Sequence, residues 1–549
     1  MKIIFVFLQK LKIMKNILLL SSLFIFQLSF SQFELEHTYN DNVVTRVKLE
    51  IDGEKYYLVN KTTSQADFYN ADHSFWKSIP LPSPPQNQFT EIRIWHVSQS
   101  KINLDNNIEL IYSYYNIGND NFYTTKIISE NGNTLLTVDG GTHANLNEIE
   151  GLPTKLFVVD YQNFTKVYSF PELVLENTYQ IAQDYLYRIN LEIAGEKYYF
   201  FDKINGQARF FNADHSFWKN IDLPKPADAI YSSISFVADN EIGNTNLIKI
   251  GYLFSAINGN QSTYSGNIVE ENGQNLLSIP NTISFFLSKL NGLNKIITTD
   301  LNTNTNYLYK SNVYNAANLS LEHQFESVVS RTILENSGEK YYTSLYPLNS
   351  QAKIYNADYS IWKTVDLPIA GEFYKISTIS NLSENKFNSD NLVEFSCSYV
   401  FESLTFDTFF ESRIINENGL SLLTVPGAYN LTLDEKPNLT NKILGLMYAN
   451  GGSQPPTSTV YDTGILSTTN FKIAIITIAP NPVNNEFNIF STKSVKQINI
   501  FNSIGKLVLT ESALNLTKIE LKNFANGIYL VQMKDDENNQ TTQKIIISH

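Results

Sequence analysis

The octapeptide NADHSFWK, at Asn70–Lys77, recurs letter for letter at Asn212–Lys219, and a third form, NADYSIWK, lies at Asn356–Lys363. The first two copies start 212 − 70 = 142 residues apart, and the second and third start 356 − 212 = 144 residues apart. A nearly constant interval between matching segments is the signature of an internal repeat. The body of the chain is therefore expected to hold three homologous units.

Other landmarks keep the same interval and fix the boundaries of these units. GEKYY begins at residues 53, 195 and 338, and the related openings LEHTY, LENTY and LEHQF begin at residues 35, 175 and 321. From these landmarks we predict β repeats at residues 33–172, 173–318 and 319–466, a linker at 467–477 and a separate module at 478–549.

Within each repeat, hydrophobic residues alternate with polar ones. In TRVKLEI, Thr45–Ile51, a valine, a leucine and an isoleucine alternate with an arginine, a lysine and a glutamate, and YRINLEI, Tyr187–Ile193, repeats the design. A period of two is that of a β-strand with one buried face. No long segment has helical spacing, so the sequence predicts an all-β fold.

The strands of each repeat fall into three clusters, which in the first repeat lie near residues 43–82, 90–139 and 143–180. One third of a repeat is about 47 residues, close to the length of a four-stranded propeller blade. The predicted architecture is therefore a β-propeller with up to nine blades, or a pair of smaller propellers. Three β-sandwiches in tandem are the alternative, because a repeat is also of ordinary domain size.

The octapeptide itself, with an Asp-His pair beside a tryptophan, invites a catalytic or metal-binding interpretation. The third copy has Tyr359 where the first two have His73 and His215, which excludes imidazole chemistry common to all three units. Asn and Asp suit tight turns, so we interpret the segment as a structural hairpin with the tryptophan packing on its outgoing strand. The hairpin residues are Asn70, Asp72, Trp76, Asn212, Asp214, Trp218, Asn356, Asp358 and Trp362.

The bulk composition limits the class of partner. Lys and Arg number 41 against 54 Asp and Glu, and the formal net charge of −13 would repel the phosphates of nucleic acid. The chain has one cysteine, Cys397, so neither an intramolecular disulfide nor a cysteine-rich metal site can form. Its alternating surroundings indicate a buried structural thiol.

The N-terminus, residues 1–31, has the layout of a secretory signal peptide. The stretch Met14–Gln32 has a basic residue near its start, continues through an apolar run and has small residues at Ser29 and Ser31, so cleavage is expected before Gln32. Met14 is a second candidate initiator, because the residues before it duplicate the charged-then-apolar start. The apolar run is short for a membrane span, so we expect a mature chain without a transmembrane segment.

The C-terminal module contains four characteristic segments: APNPVNNEFNI (Ala479–Ile489), INIFNSIGKLVL (Ile498–Leu509), FANGIYLVQM (Phe524–Met533) and the terminal QKIIISH. In these segments it resembles the type A C-terminal sorting domain of the type IX secretion system of Bacteroidetes. The resemblance implies a small Ig-like sandwich that the outer-membrane translocon recognises, often cleaved as cargo is released or joined to the surface. The residues that carry it are Pro480, Asn481, Pro482, Gly505, Gly527, Tyr529 and Lys544.

This resemblance also implies a location: after signal-peptide cleavage and passage through the periplasm, the protein is secreted or held at the outer-membrane surface. The repeats resemble strand-rich repeat regions of other secreted flavobacterial proteins, a likeness that implies no activity.

Two turns in the repeats carry oxygen-rich clusters. LDNNIEL supplies Asp105 and Glu109, and SDNLVEF supplies Asp390 and Glu394, the hard donors that Ca²⁺ prefers. In the middle repeat Lys249 stands in the position of the glutamate, where its ammonium would repel a cation. A polar turn that enters a buried strand is therefore the alternative, and no other cofactor is evident.

Common catalytic signatures, such as HExxH, GxSxG and a glycine-rich phosphate loop, are absent from the sequence. The sequence therefore favours a non-enzymatic binding or adhesion platform for a glycan or a surface protein. A secreted hydrolase of polysaccharide or protein is the alternative, because a fold can bring two carboxylates together without a linear motif. The three recurring tryptophans suit either sugar stacking or a repeated core position.

Overall fold

The computed structural model describes residues 33–548, apart from 84–90, 103–104, 117–121, 182–183, 244, 259–260, 291–292, 302–308, 346–349, 372–373, 403–407, 449–455, 467–475, 480–482, 492–493, 503–505, 513–515 and 536–539. The predicted signal peptide lies outside these residues. The described part of the chain is built of β-strands and contains no α-helix, and so none that is long and apolar enough to cross a membrane.

The described residues divide into two compact units, one within 33–436 and 440–465, and the other within 437–439 and 466–548. The first unit is the repeat body. It begins with β1, Glu34–Tyr39.

The first repeat continues with twelve strands. They are β2 Thr45–Leu49, β3 Gly53–Asn60, β4 Gln65–Asn70, β5 Phe75–Pro80, β6 Glu91–Ser98, β7 Glu109–Asn116, β8 Phe122–Ser129, β9 Thr134–Asp139, β10 Gly141–Asn147, β11 Lys155–Asp160, β12 Phe164–Ser169 and β13 Leu175–Gln180.

The second repeat has the same order of strands. They are β14 Tyr187–Leu191, β15 Gly195–Asp202, β16 Gln207–Asn212, β17 Phe217–Asp222, β18 Ala229–Ala238, β19 Lys249–Asn258, β20 Gln261–Glu270, β21 Asn275–Pro280, β22 Thr282–Leu290, β23 Leu293–Leu301, β24 Tyr309–Asn315 and β25 Leu321–Phe325.

The third repeat completes the body. Its strands are β26 Val328–Leu334, β27 Gly338–Leu345, β28 Gln351–Asn356, β29 Ile361–Asp366, β30 Lys375–Ser383, β31 Glu394–Glu402, β32 Thr408–Asn416, β33 Ser421–Pro426, β34 Ala428–Asp434, β35 Thr440–Met447 and β36 Thr457–Leu466.

Four strands that follow one another in sequence pair antiparallel to form each sheet, from β2–β5 to β30–β33. The sheets β26–β29 and β30–β33 are linked by a single additional pair, Leu345 with Thr378. In the last sheet the order is β34-β35-β36-β1, so the first strand of the body supplies the outer strand of the final sheet. The described body thus consists of nine four-stranded sheets, the arrangement of propeller blades.

The hydrophobic core lies between neighbouring sheets. One cluster packs Leu49 and Phe68 of β2–β5 against Ile92 and Leu110 of β6–β9. Eight further clusters of described residues join each remaining sheet to the next. The one that includes Tyr56 and Val460 joins the last sheet to the first. The ring is therefore closed, and the predictions of an all-β fold and of a β-propeller body are confirmed.

The C-terminal unit is a small two-sheet structure. Its strands are β37 Ile476–Ala479, β38 Glu486–Ser491, β39 Val495–Asn502, β40 Leu507–Ser512, β41 Lys518–Glu520, β42 Gly527–Asp535 and β43 Gln540–Ile547. One sheet has the order β37-β38-β41 and the other β40-β39-β42-β43. Their facing residues, which include Phe487, Ile500 and Val531, form one buried core.

Candidate functional site

The octapeptide forms the turn between the third and fourth strands of the first blade in each repeat. In the first copy the Asn70 N–H donates to the Ser74 carbonyl at 2.8 Å, and the carboxylate of Asp72 accepts from both the N–H and the hydroxyl of Ser74. His73 adopts a φ of +63°, a conformation that few L-residues take. The other two copies repeat these bonds, with Asp214 and Asp358 in the place of Asp72.

The side chain at the tip of this turn packs against the outer strand of the preceding blade. Nδ1 of His73 lies 2.8 Å from the hydroxyl of Tyr39, and its Nε2 lies 3.6 Å from Glu36. In the same way, Nδ1 of His215 lies 2.8 Å from the hydroxyl of Tyr179, and its Nε2 lies 3.5 Å from Glu176. Burial lowers the pKa of His215, which favours the neutral ring.

The third repeat keeps this contact with different groups. The hydroxyl of Tyr359 donates to Glu322. In all three repeats the glutamate also pairs with a lysine of the preceding blade, as Lys442–Glu36 (2.6 Å), Lys155–Glu176 (2.5 Å) and Lys295–Glu322 (2.5 Å). We call each lysine, glutamate and tip residue together a repeat clasp. The openings LEHTY, LENTY and LEHQF of the repeats, whose role the sequence alone did not reveal, supply its glutamates.

The recurring tryptophans lie between the first and second blades of each repeat. Trp76 is half-buried and packs on the core shared by these blades. The ammonium groups of Lys55 and Lys77 lie 4.7 and 4.0 Å from its ring centre, and Lys77 also pairs with Glu130 of the next blade. Trp218 and Trp362 have equivalent pairs of lysines. Rings flanked by two cations are ill suited to stacking on a sugar.

The predicted oxygen clusters lie where the second strand of a blade begins. Glu109 is the first residue of β7 and Glu394 the first of β31, and both are fully buried. Burial, followed by the charge of Asp105, raises the pKa of Glu109 to about 8. Burial and the neighbouring Asp390 likewise raise the pKa of Glu394 to about 8. The structure therefore brings each Asp–Glu pair together.

Lys249 stands at the corresponding position, the first residue of β19, and is equally buried. Its ammonium donates to the carbonyl oxygen of Thr245 and lies 4.0 Å from Glu270. Within the described residues no group of three or more His, Cys, Asp or Glu side chains is placed to hold a metal ion.

Cys397 is fully buried in β31, and burial raises the pKa of its thiol to about 12. At neutral pH it is therefore a protonated core residue with little nucleophilic character.

A cavity of about 860 Å³ opens beside the first blade, on the face of the propeller where the first strand of each sheet begins. We call this side the leading face. The cavity is lined by residues 41–43, Thr45, the turn between β3 and β4, the start of β6 and Pro456, together with Tyr57, Asp67 and Tyr69. The volume falls within the range of small-molecule sites, about 300–1,000 Å³. No sequence motif marks this cavity, because its lining comes from separate strands and turns.

The first and second repeats differ at this position for a simple steric reason. Thr45 pairs across the sheet with Tyr57, and both line the cavity. In the second repeat the equivalent residue is Tyr187, whose ring stacks on Tyr199 with centroids 5.2 Å apart. A small threonine thus leaves space that a second tyrosine ring fills in the middle repeat.

Three of the five charged side chains that line the cavity, Lys61, Glu91 and Asp67, have polar partners. Lys61 pairs with Glu91 at 2.8 Å. Asp67 accepts hydrogen bonds from Ser78 at 2.5 Å and Asn60 at 3.1 Å. The carboxylates of Asp67 and Glu91 therefore both have donors. This arrangement suits a polar binding surface better than a general acid, whose carboxyl group must stay protonated.

In the C-terminal unit, Tyr529 is buried, its hydroxyl donates to the Ala525 carbonyl at 3.0 Å, and its ring packs on Phe524. Gly527 begins β42, and Lys544 lies on β43 opposite Leu530 with its side chain exposed. The other sorting-signal residues, Pro480, Asn481, Pro482 and Gly505, lie outside the described residues.

Comparison with solved structures returns proteins of low identity. A eukaryotic initiation factor matches at 8% identity and a TM-score of 0.43, over 85% of this chain and 98% of its own. The C-terminal WD40 domain of Sif2 matches at 12% and 0.35, over 67% and 95%, and BamB from Moraxella catarrhalis at 7% and 0.34, over 68% and 99%. At these scores the propeller assignment rests on the sheet order and ring closure of this chain. No curated protein matches the sequence.

A family model does match the end of the chain. The secretion system C-terminal sorting domain matches residues 477–548, which span all but the first residue of the two-sheet unit and all but the last residue of the segments quoted above. The predicted resemblance is confirmed, and it implies recognition by the type IX secretion machinery and export to the cell surface or beyond. After its β-propeller in sequence, the chain thus carries, at residues 477–548, a C-terminal sorting domain of the type IX secretion system.

Proposed function

We propose that the propeller is a binding module for an oligosaccharide, which the sorting domain delivers to the cell surface or the surroundings. The observation that carries the proposal is the cavity of about 860 Å³ beside the first blade. A cavity of this size accommodates a few sugar rings.

The chemistry of the lining supports a polyhydroxylated ligand. Donors and acceptors, among them Asn42, Asn60 and Arg93, alternate with the tyrosines Tyr57 and Tyr69. Amide and guanidinium groups provide directed hydrogen bonds to hydroxyls. Tyrosine provides an apolar ring with a polar tip.

A hydrolase finds no specific support at this site, because Asp67 and Glu91 already accept bonds from neighbouring side chains. The three tryptophans are not part of the proposed site, since lysines flank each ring.

The test fills the cavity with a side chain that the fold already tolerates elsewhere. Thr45→Tyr places a ring against Tyr57, as Tyr187 lies against Tyr199 in the second repeat. The matched control is Ser330→Tyr, at the equivalent position of the third repeat, opposite Tyr342.

The full mature chain and both variants would be applied to an array of glycans, with a panel of surface proteins as a second arm and product analysis for cleavage. We expect glycan retention by the wild type and Ser330→Tyr, and at least a tenfold loss in Thr45→Tyr. Equal glycan retention by Thr45→Tyr, retention of proteins only, or release of cleaved products would overturn the proposal.

A further inference from the structure

The carboxylate of Glu109 is buried without a hydrogen-bond donor. Its side chain is completely inaccessible, and neither of its oxygens receives a hydrogen bond. The charged groups that act on it are the carboxylates of Asp105, Glu50 and Glu130. A buried carboxyl group surrounded by anions either keeps its proton or is compensated by a positive charge.

Glu394 repeats this situation in the third repeat. It too is inaccessible, and its Oε2 receives no hydrogen bond. Its Oε1 accepts from the side-chain amide of Asn388 at 2.6 Å, and the same amide lies 3.2 Å from Asp390. The amide group therefore lies between the two carboxylates.

The middle repeat places a positive charge of its own at this position. Lys249 replaces the glutamate, and its ammonium is bonded to the Thr245 carbonyl. The residue paired with Lys249 across the sheet is Glu270, whereas the partners of Glu109 and Glu394 are Ser129 and Asn416. Gly243 stands where the third repeat has Asn388, and a Cβ there would lie 3.8 Å from the lysine chain.

We infer that the first and third repeats each bind one Ca²⁺ ion, between Asp105 and Glu109 and between Asp390 and Glu394, at the position that the Lys249 ammonium takes in the middle repeat. Two carboxylates neutralise a divalent ion, and hard oxygen donors with irregular geometry suit Ca²⁺ better than Mg²⁺. In the third repeat a half-turn of the Asn388 amide presents its oxygen to the ion, at the expense of the 2.8 Å bond that this oxygen accepts from the Asp390 N–H.

Such a site has few protein ligands, so we expect a dissociation constant of about 10⁻⁴–10⁻³ M, the range of extracellular calcium modules. Its role is to join the polar turn to the first residue of a core strand, as Lys249 does in the middle repeat.

The test measures bound ⁴⁵Ca²⁺ by equilibrium dialysis of the full mature chain, stripped with chelator, up to several millimolar free Ca²⁺. We expect two ions per chain, one in Glu109→Gln, one in Glu394→Gln and none in the double variant. Glu270→Gln, in the middle repeat, is the matched control and keeps two.

Glutamine keeps the shape and removes the charge, and circular dichroism with gel filtration verifies that each variant is folded. Asp105→Asn and Asp390→Asn provide a second pair of variants on the same two sites, each expected to weaken one site at least tenfold. Fewer than two ions bound by the wild type, or two ions retained by the double variant, would overturn the inference.

Discussion

The guanidinium of Arg46 donates to the carbonyl oxygen of Thr440 at 2.7 Å, although 394 residues separate the two along the chain. Arg46 is the second residue of β2 in the first blade, and Thr440 begins β35 in the last. The same side chain pairs with Glu54 at 2.7 Å and donates to the Asp434 carbonyl at 3.0 Å. Together with β1, this arginine joins the two ends of the ring.

The first prediction concerns that closure. Arg46→Met removes a buried donor, since the arginine side chain is completely inaccessible. That donor serves two carboxylates, Glu54 and Asp434, and two carbonyl oxygens. Breaking a buried ion pair on one side costs about 3–5 kcal/mol. We expect the unfolding midpoint in urea to fall accordingly.

The control is Lys48→Gln, which changes an exposed residue of the same strand and should alter stability by less than about 0.5 kcal/mol. Arg188 and Arg331 make equivalent contacts with the preceding blade, so Arg188→Met should lose a similar amount. An Arg46→Met protein as stable as the wild type would show that β1 closes the ring without this residue.

The second prediction is a pH dependence at the repeat clasp of the third repeat. Burial alone would raise the pKa of Glu322, but hydrogen bonds from Lys295, Tyr359 and Asn315 lower it below its ordinary value of 4.5. A carboxylate with a lowered folded pKa stabilises the fold above about pH 4.5, and this contribution is lost as the pH falls through the folded pKa.

Glu322→Gln should therefore cost about 1.5–3 kcal/mol at pH 7, the value of hydrogen bonds to a charged group. The difference from wild type should shrink below pH 4.5 and vanish once Glu322 is protonated in the folded protein. Denaturant titrations of both proteins between pH 7 and pH 3 measure it, with the exposed Glu326→Gln as control. A difference that is constant with pH would contradict the assignment.

Part of this architecture is readable from the sequence because it is local. The alternation in Thr45–Ile51 and the turn chemistry of Asn70–Ser74 are set by neighbours along the chain, and so strands and hairpins are predictable. The alternation does not predict which side chains are buried, because Arg46 is 2% exposed and Ile51, beyond the end of β2, is 55% exposed. The pairing of β1 with β36 is not local, and neither is the meeting of Glu36 with His73 across two blades. These relations depend on how the sheets close into a ring, which no linear pattern records.

The candidate sites divide in the same way. The acidic turns around Glu109 and Glu394 are visible as motifs, but that their carboxylates are buried follows only from the position of β7 and β31 between two other strands. The cavity depends on a difference between the first two repeats, which have Thr45 and Tyr187 at the same position. Whether this difference opens a space depends on how the two residues pack against Tyr57 and Tyr199, which the sequence does not show.

The third prediction concerns export. All nine inter-blade clusters consist of residues between 33 and 465, so deletion of residues 477–549 should leave the propeller folded. In a cell with a type IX secretion system, the truncated chain should accumulate in the periplasm, while the full chain reaches the surface or the medium. Immunoblots of the cell fractions measure this, and proteolysis of the truncated chain tests its folding. A folded, truncated chain found outside the cell would show that export does not need the sorting domain.

The last prediction separates packing from sugar stacking at the recurring tryptophans. Trp218 packs on the core between the first two blades of its repeat and lies 4.6 and 4.1 Å from the ammonium groups of Lys197 and Lys219. Trp218→Ala removes a half-buried ring together with these cation–π contacts, so we expect a loss of about 2 kcal/mol in stability and no change in glycan retention. Phe217→Ser is the control, because Phe217 is 54% exposed on the same strand and should change stability little. Urea unfolding and array retention, measured on the same preparations, give the two readouts. A stable Trp218→Ala protein that no longer retains glycan would place the sugar on the tryptophans and remove it from the cavity beside Thr45.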